Sequence, residues 1–293
     1  MKDFKKQGEI KGFLKIEGNL ILTGDLTVEK EIEVTGYIDC AGYLIEAGNW
    51  IEAGGSIKSG SSIKAGNWIE AGGSIKSGGL IKAGGLIEAG DWIKSGSSIK
   101  AGDSIKAGSL IKAGSLIKAG DWIKSGDSIK AGSLIKAGSL IKAGNWIEAG
   151  GLIKAGGSIK AGDSIKAGSL IKAGSLIKAG GLIEAGDSIE AGGSIKSGDL
   201  IKSGGLIKAG DSILSQLWIR CKTKLSAGLY IYAGVKTWSE LNKDDDLIEC
   251  RKLESGEIKL GKLKELGEQK VELTMDEVAE KFGIDVSNLK IKK

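Results

Sequence analysis

The 293-residue chain has no histidine and no proline, and it has only three cysteines. Without histidine, the usual general base for activating a serine or cysteine nucleophile is missing, as is the commonest imidazole metal ligand. Cys40, Cys221 and Cys250 are far apart, odd in number and lack a Cys-x-x-Cys spacing. They read as small buried residues or free thiols of a reducing compartment, not as a zinc site or a disulfide framework. No Gly-x-Ser-x-Gly or Gly-x-Gly-x-x-Gly element occurs, so nucleophile-elbow and dinucleotide-loop chemistry have no foothold. The N-terminus, Met1-Lys2-Asp3-Phe4-Lys5-Lys6, has no apolar signal core, and no run approaches the length of a membrane span. A non-enzymatic cytoplasmic protein is expected, with no cofactor, no metal and no membrane partner.

What the chain does have is glycine, 49 residues of it, set in a strict period. Isoleucine occupies every sixth position over residues 45–213, through 29 units without insertion or deletion. Each unit reads Gly, Asn/Asp/Ser/Gly, Leu/Trp/Ser, Ile, Lys/Glu, Ala/Ser, as in Gly108-Ser109-Leu110-Ile111-Lys112-Ala113. A short fixed period implies a solenoid, because one unit cannot bury its apolar side alone and must stack on its neighbours. Strand alternation puts isoleucine and the small residues on one face, and Lys/Glu with Leu/Trp/Ser on the other. A ladder of unpaired lysines cannot line a narrow core, so isoleucine faces inward. Glycine is expected to supply a positive φ at each corner.

The frame Ile111-Lys112-Ala113-Gly114-Ser115-Leu116 resembles the hexapeptide-repeat left-handed β-helix, a resemblance that covers residues 43–213. It implies an all-β, parallel, triangular solenoid with about 18 residues per coil, roughly ten coils, and a rod on the order of 45–50 Å long. A flatter two-sided solenoid of about 12 residues per coil is the alternative. Acyltransferases and γ-type carbonic anhydrases of that fold depend on histidines that this chain lacks.

Before the array, glycines keep the six-residue phase at Gly12, Gly18, Gly24, Gly36 and Gly42. The apolar pairs Leu14/Ile16, Leu20/Leu22, Leu26/Val28, Ile32/Val34 and Ile38/Cys40 nevertheless alternate on the opposite parity. A one-residue slip exchanges the faces of a strand, so the inward set must switch near Tyr43-Leu44-Ile45. Residues 1–42 therefore form an N-terminal β-helical segment and cap, whose Leu-x-Ile-x-Gly texture is similar to bactofilin-type polymer-forming proteins. Residues 43–237 form the repeat body, with the period decaying after Ile213. Residues 238–293 read as a small α+β cap or docking module: strands near Leu247, Ile258 and Val271, a helix opened by Thr274-Met275-Asp276-Glu277 and ended at Gly283, and a last strand over residues 286–291. Asp244-Asp245-Asp246 with Glu249 reads as a solvated turn, with a hard-cation site as the lesser alternative. The overall texture looks like uncharacterised bacterial and phage solenoid proteins, which would make a phage-encoded chain virion-associated.

The outward positions carry the functional signal. Before the array's isoleucines stand 13 leucines, five tryptophans and 11 serines. So much apolar surface implies a partner, unless neighbouring lysine stems cover it. Candidate interface residues are Trp50, Trp68, Trp92, Trp122 and Trp146 with Leu110, Leu116, Leu134 and Leu140; Trp50 and Trp68, three units apart, should stack in a triangular coil. After the isoleucines stand 21 lysines, seven glutamates and one leucine. Nine consecutive units from Lys94 to Lys142 form a basic belt, with Lys106, Lys112, Lys118, Lys124, Lys130 and Lys136 as candidate polyanion-binding residues. The leading expectation is a structural protein that forms a homo-oligomer or docks a protein partner through its Leu/Trp stripes; the alternative is a module binding nucleic acid or another polyanion. An ice-binding surface would need regular threonine ladders, which are missing.

Overall fold

The computed structural model describes residues 2–235 and 244–267. Short parallel strands of three or four residues pair in register with the strand three units later in the chain, so Ile69 lies against Ile87, Ile75 against Ile93 and Ile81 against Ile99. Three strands complete one coil before the chain returns to its own column, which makes a three-faced parallel β-solenoid and rules out the flat two-sided coil. The columns are named by their first array strand. Face 1 starts at Ile45–Ala47, face 2 at Trp50–Ala53 and face 3 at Ile57–Ser59.

Isoleucine fills the interior because its branched, apolar side chain packs on a pleated surface that alternation turns inward. Every array isoleucine is 0–1% exposed. The Ala/Ser position two residues on is also buried, and where it is serine the hydroxyl is satisfied at the corner. Ser59 Oγ donates to the Tyr43 carbonyl at 2.6 Å and accepts the Ser61 N–H at 3.0 Å, and Ser215 Oγ donates to the Asp199 carbonyl at 2.7 Å. The serines thus tie one coil's corner to the coil below it.

The corner glycines work differently from the sequence expectation. Glycines at positive φ are confined, among the described residues, to Gly8, Gly12, Gly18, Gly234, Gly256 and Gly261, all outside the regular array. Inside it, glycine is required by the approach of the coil beneath. A Cβ on Gly108 would overlap the carbonyl oxygen of Gly90, and one on Gly126 that of Gly108. The parity switch does fall where the apolar pattern placed it. Leu14 pairs with Ile32, three units on, but Ile32 pairs with Ile51, one residue farther than three units. The extra residue is taken up at the corner after Cys40, where Ala41 has φ 42° and Tyr43 N–H bonds the Cys40 carbonyl at 2.6 Å.

At the other end the solenoid continues past the irregular units. Lys224–Tyr232 and Lys252–Leu260 each turn a corner and serve two faces. Leu247–Cys250 stacks on Ile219–Cys221, with Ile248 under Ile219, and Lys262–Glu265 stacks on it in turn. The strands assigned from sequence to a separate C-terminal module are thus, as far as residue 267, further coils of the same rod. The expected helix and the strands at 271–273 and 286–291 lie outside the described residues. Counting levels along face 1, from Gly8 to Leu253, gives a stack on the order of 60 Å.

All three cysteines are buried. Although distant in the chain, Cys221 and Cys250 end strands that stack on each other. The neighbouring Cys250 thiol and burial push the Cys221 thiol up. Burial beside Asp39 pushes Cys40 up to about 12, so it is an inert apolar filler.

Candidate interaction surfaces

The outward side chains stack into six columns, two per face, because each position of the unit recurs one coil later in register. Trp50 pairs with Trp68 on face 2, and their rings lie 4.6 Å apart at an interplanar angle of 5°, the stacking expected from their spacing. Trp122 and Leu140 continue the same column. Trp92, Leu110 and Trp146 belong to face 3, and Leu116 and Leu134 to face 1. The nine candidate interface residues are therefore distributed over three faces. All nine are half-buried, and none is among the exposed large apolar residues. Neighbours in the column cover one another, and lysine heads lie over two rings: Lys124 Nζ is 4.4 Å from the Trp122 centroid and Lys130 Nζ 5.8 Å from that of Trp146.

The exposed large apolar residues lie at the ends of the rod. Phe4, Phe13, Tyr37 and Tyr43 mark the N-terminal coils, and Leu229, Tyr230, Leu260 and Leu263 the C-terminal ones. Their signal in the sequence is the loss of the repeat, which ends the regular stacking that half-buries the outward residues of the array.

The basic belt is built as three lysines on each face: Lys100, Lys118 and Lys136 on face 1, Lys106, Lys124 and Lys142 on face 2, and Lys94, Lys112 and Lys130 on face 3. The six candidate polyanion residues thus divide two to a face. Two of them already have carboxylate partners: Lys106 bonds Glu88 at 2.6 Å and Lys130 bonds Glu148 at 2.9 Å. The hydrogen bond that Lys106 donates to Glu88 holds its ammonium above its ordinary value.

The three charged columns have different patterns. Face 1 stacks seven lysines, from Lys64 to Lys172, closed at the two ends by Lys64–Glu46 at 3.4 Å and Lys172–Glu190 at 2.6 Å. Face 3 alternates sign in its C-terminal half, and its charges zip together: Lys166 and Lys202 both reach Glu184, at 3.4 and 2.8 Å. Farther along the same column, Arg220 and Lys264 both reach Glu249. Face 2 is divided. Glu33, Glu52, Glu70 and Glu88 stack in its N-terminal part, and Lys106, Lys124, Lys142, Lys160, Lys178 and Lys196 follow in register.

Depressions on the rod follow these columns. One of about 510 Å³ runs beside Glu148, Lys166, Glu184, Lys202 and Arg220 on face 3. Another of about 770 Å³ at the C-terminal coils is bounded by Thr223, Lys224, Arg251, Lys252 and Glu265. The acidic run near residue 245 is tied into the fold: Asp246 pairs with Lys262 at 3.2 Å, and Glu249 is held by Arg220 and Lys264. Among the described residues no group of three or more His, Cys, Asp or Glu side chains is placed to hold a metal ion, and no helix is long and apolar enough to cross a membrane. No protein-family model, curated protein or solved structure matches this chain.

Proposed function

We propose that this protein is a non-catalytic structural rod that associates with copies of itself, or docks a protein partner, through its outward Leu/Trp columns. One observation carries the reading: large apolar side chains are stacked in register on flat faces, with Trp50 and Trp68 at 4.6 Å as the clearest case. Such a surface is rigid before binding, so little side-chain entropy is lost when a second surface covers it, and tryptophan is a frequent interface anchor. Half-burial lowers the apolar area each residue has to offer. Association then depends on many small contributions along the rod. Replacing Trp50, Trp68, Trp92, Trp122 and Trp146 by serine should reduce the mass in solution to that of one chain while the circular dichroism of the fold is kept. An assembly of unchanged mass would refute the role of these columns.

A second reading is favoured by the face 1 lysines. Seven stacked ammonium groups at about 4.8 Å spacing form a line of positive charge that a linear polyanion would neutralise with release of its counterions. Replacing Lys82, Lys100, Lys118, Lys136 and Lys154 by glutamine should flatten the salt dependence of binding to a model duplex. Equal binding by the variant and the parent would refute it.

A further inference from the structure

We infer that face 2 is a self-complementary surface on which two copies of this chain pack antiparallel, related by a two-fold axis lying across the rod between Glu88 and Lys106. The inference rests on the self-association reading and specifies its face, direction and register.

The charge column of face 2 is divided. Four stacked glutamates followed by six stacked lysines give one face a negative part and a positive part. Within this column the junction is neutralised by Lys106–Glu88 and the N-terminal end by Lys15–Glu33 at 2.8 Å. Glu52 and Glu70 on one side, and Lys142 and Lys160 on the other, have no ion pair among the described residues. Like charges stacked at about 4.8 Å repel one another, and an opposite column laid over them would relieve that repulsion.

Geometry then selects the arrangement. A two-fold axis parallel to the rod would lay the charged column of one copy over the apolar column of the other. An axis across the rod lays charge on charge and apolar on apolar, with the direction reversed. Centred between Glu88 and Lys106, it sets Glu70 opposite the partner's Lys124, Glu52 opposite the partner's Lys142 and Glu33 opposite the partner's Lys160. Sliding the axis by half a coil or a whole coil either way puts glutamate on glutamate or lysine on lysine at the centre. The same register brings Trp68 against the partner's Trp122 and Trp50 against the partner's Leu140, with Leu86 over the partner's Ser104 beside the axis, so the apolar column, which was not used to place the axis, matches at its four large pairs and leaves its two central levels as leucine on serine. A closed two-fold contact of this kind is isologous and stops at two chains.

The end of the rod argues for contact through a side face. The outermost N-terminal strand, Asp3–Ile10, pairs among the described residues only with Asn19–Val28, and it carries Asp3, Lys5, Lys6 and Glu9 along its length. Charged edge strands of this kind resist edge-to-edge pairing. Eight matched levels of face 2 cover about 500 Å² per copy, or about 1,000 Å² in total, at the lower end for a specific contact. A salt-sensitive dimer with Kd on the order of micromolar is expected.

The experiment uses two charge-reversed full-length variants, E52K/E70K and K124E/K142E, with sedimentation equilibrium as the readout and circular dichroism as the check on folding. Each variant alone should dimerise more than about tenfold more weakly than the parent, because four opposite pairs become like pairs. An equimolar mixture should recover the dimer, because every pairing between the two variants is again opposite in sign. If the parent forms an oligomer that neither variant weakens, face 2 is not the contact, and self-association through another face stands. Variants that dissociate but do not recover on mixing overturn the antiparallel register. A parent that is a monomer at all concentrations removes both the contact and the self-association on which it rests.

Discussion

Replacing Gly126 by alanine tests why the array carries its glycines. Gly126 is not at positive φ, so an alanine is conformationally allowed there. Its Cβ, however, would meet the Gly108 carbonyl oxygen well inside van der Waals distance, with the carbonyl carbon at 2.9 Å and backbone as the obstacle. Relief requires the two coils to part at that corner. The bonds at risk are Gly126 N–H to the Ala107 carbonyl at 3.2 Å and Asp127 N–H to the Ser109 carbonyl at 2.9 Å. Two backbone hydrogen bonds at about 1 kcal/mol each, with the weakened dispersion attraction around them, give a cost of about 2–4 kcal/mol. Gly151 is the control. A Cβ there would lie 3.1 Å from the Ser133 carbonyl oxygen, a clash that a shift of a few tenths of an ångström relieves. Gly151→Ala should cost under about 1 kcal/mol, offset by the reduced freedom of the unfolded chain. Urea unfolding followed by circular dichroism compares them. The discriminating third variant is Gly126→Asn, since asparagine tolerates the left-handed region but carries a Cβ. Steric stacking predicts that it is as damaging as alanine. An asparagine variant as stable as the parent, or a Gly126→Ala variant no worse than Gly151→Ala, would refute the argument.

Three further outcomes rest on the same stacked coils. Ile129→Ala removes a side chain with 0% exposure and should cost about 2–5 kcal/mol in the same denaturation assay; a loss below about 1 kcal/mol would mean that the interior is not close-packed. Trp50→Ser should remove the exciton signature of the stacked Trp50–Trp68 pair from the circular dichroism spectrum without unfolding the rod, and an unchanged spectrum would contradict the stacking. Glu249 is held below its ordinary carboxylate value, first by the Lys264 hydrogen bond at 2.8 Å and then by Arg220. Its contribution is therefore present above the unfolded value of 4.5 and lost as pH falls through the lower folded value. Denaturation from pH 6 downward should show an acid loss in the parent that Glu249→Gln lacks, and parallel curves would refute it.

Much of the fold was legible because its signals are local and periodic. Isoleucine at every sixth position specified both the strands and the inward face, and the change of parity before residue 45 located the one-residue surplus between Ile32 and Ile51. What the sequence concealed depends on the approach of one coil to the next. The obstacle to a Cβ at Gly126 is a carbonyl one full coil away, so the repeat alone suggests a conformational role that the array glycines do not have. The division of Lys106, Lys112 and Lys118 over three faces follows from the number of units per coil, which the six-residue unit alone does not state. The half-burial of the outward leucines and tryptophans comes from the residues one coil away in the same column and from lysine heads laid over the rings, as with Trp122 beside Leu140 and under Lys124. The C-terminal coils were hidden by the long step from Ile219 to Ile248, which breaks the period while keeping the column.

The most direct test of the central claim is the mass of the unaltered protein in solution, measured by size-exclusion chromatography with light scattering on material prepared without nuclease, with the ratio of nucleic-acid to protein absorbance recorded across the peak. The expected result is a protein-like ratio and a mass of two chains of 30.3 kDa that falls toward one chain in high salt. A single chain of 30.3 kDa at every concentration and ionic strength would contradict it.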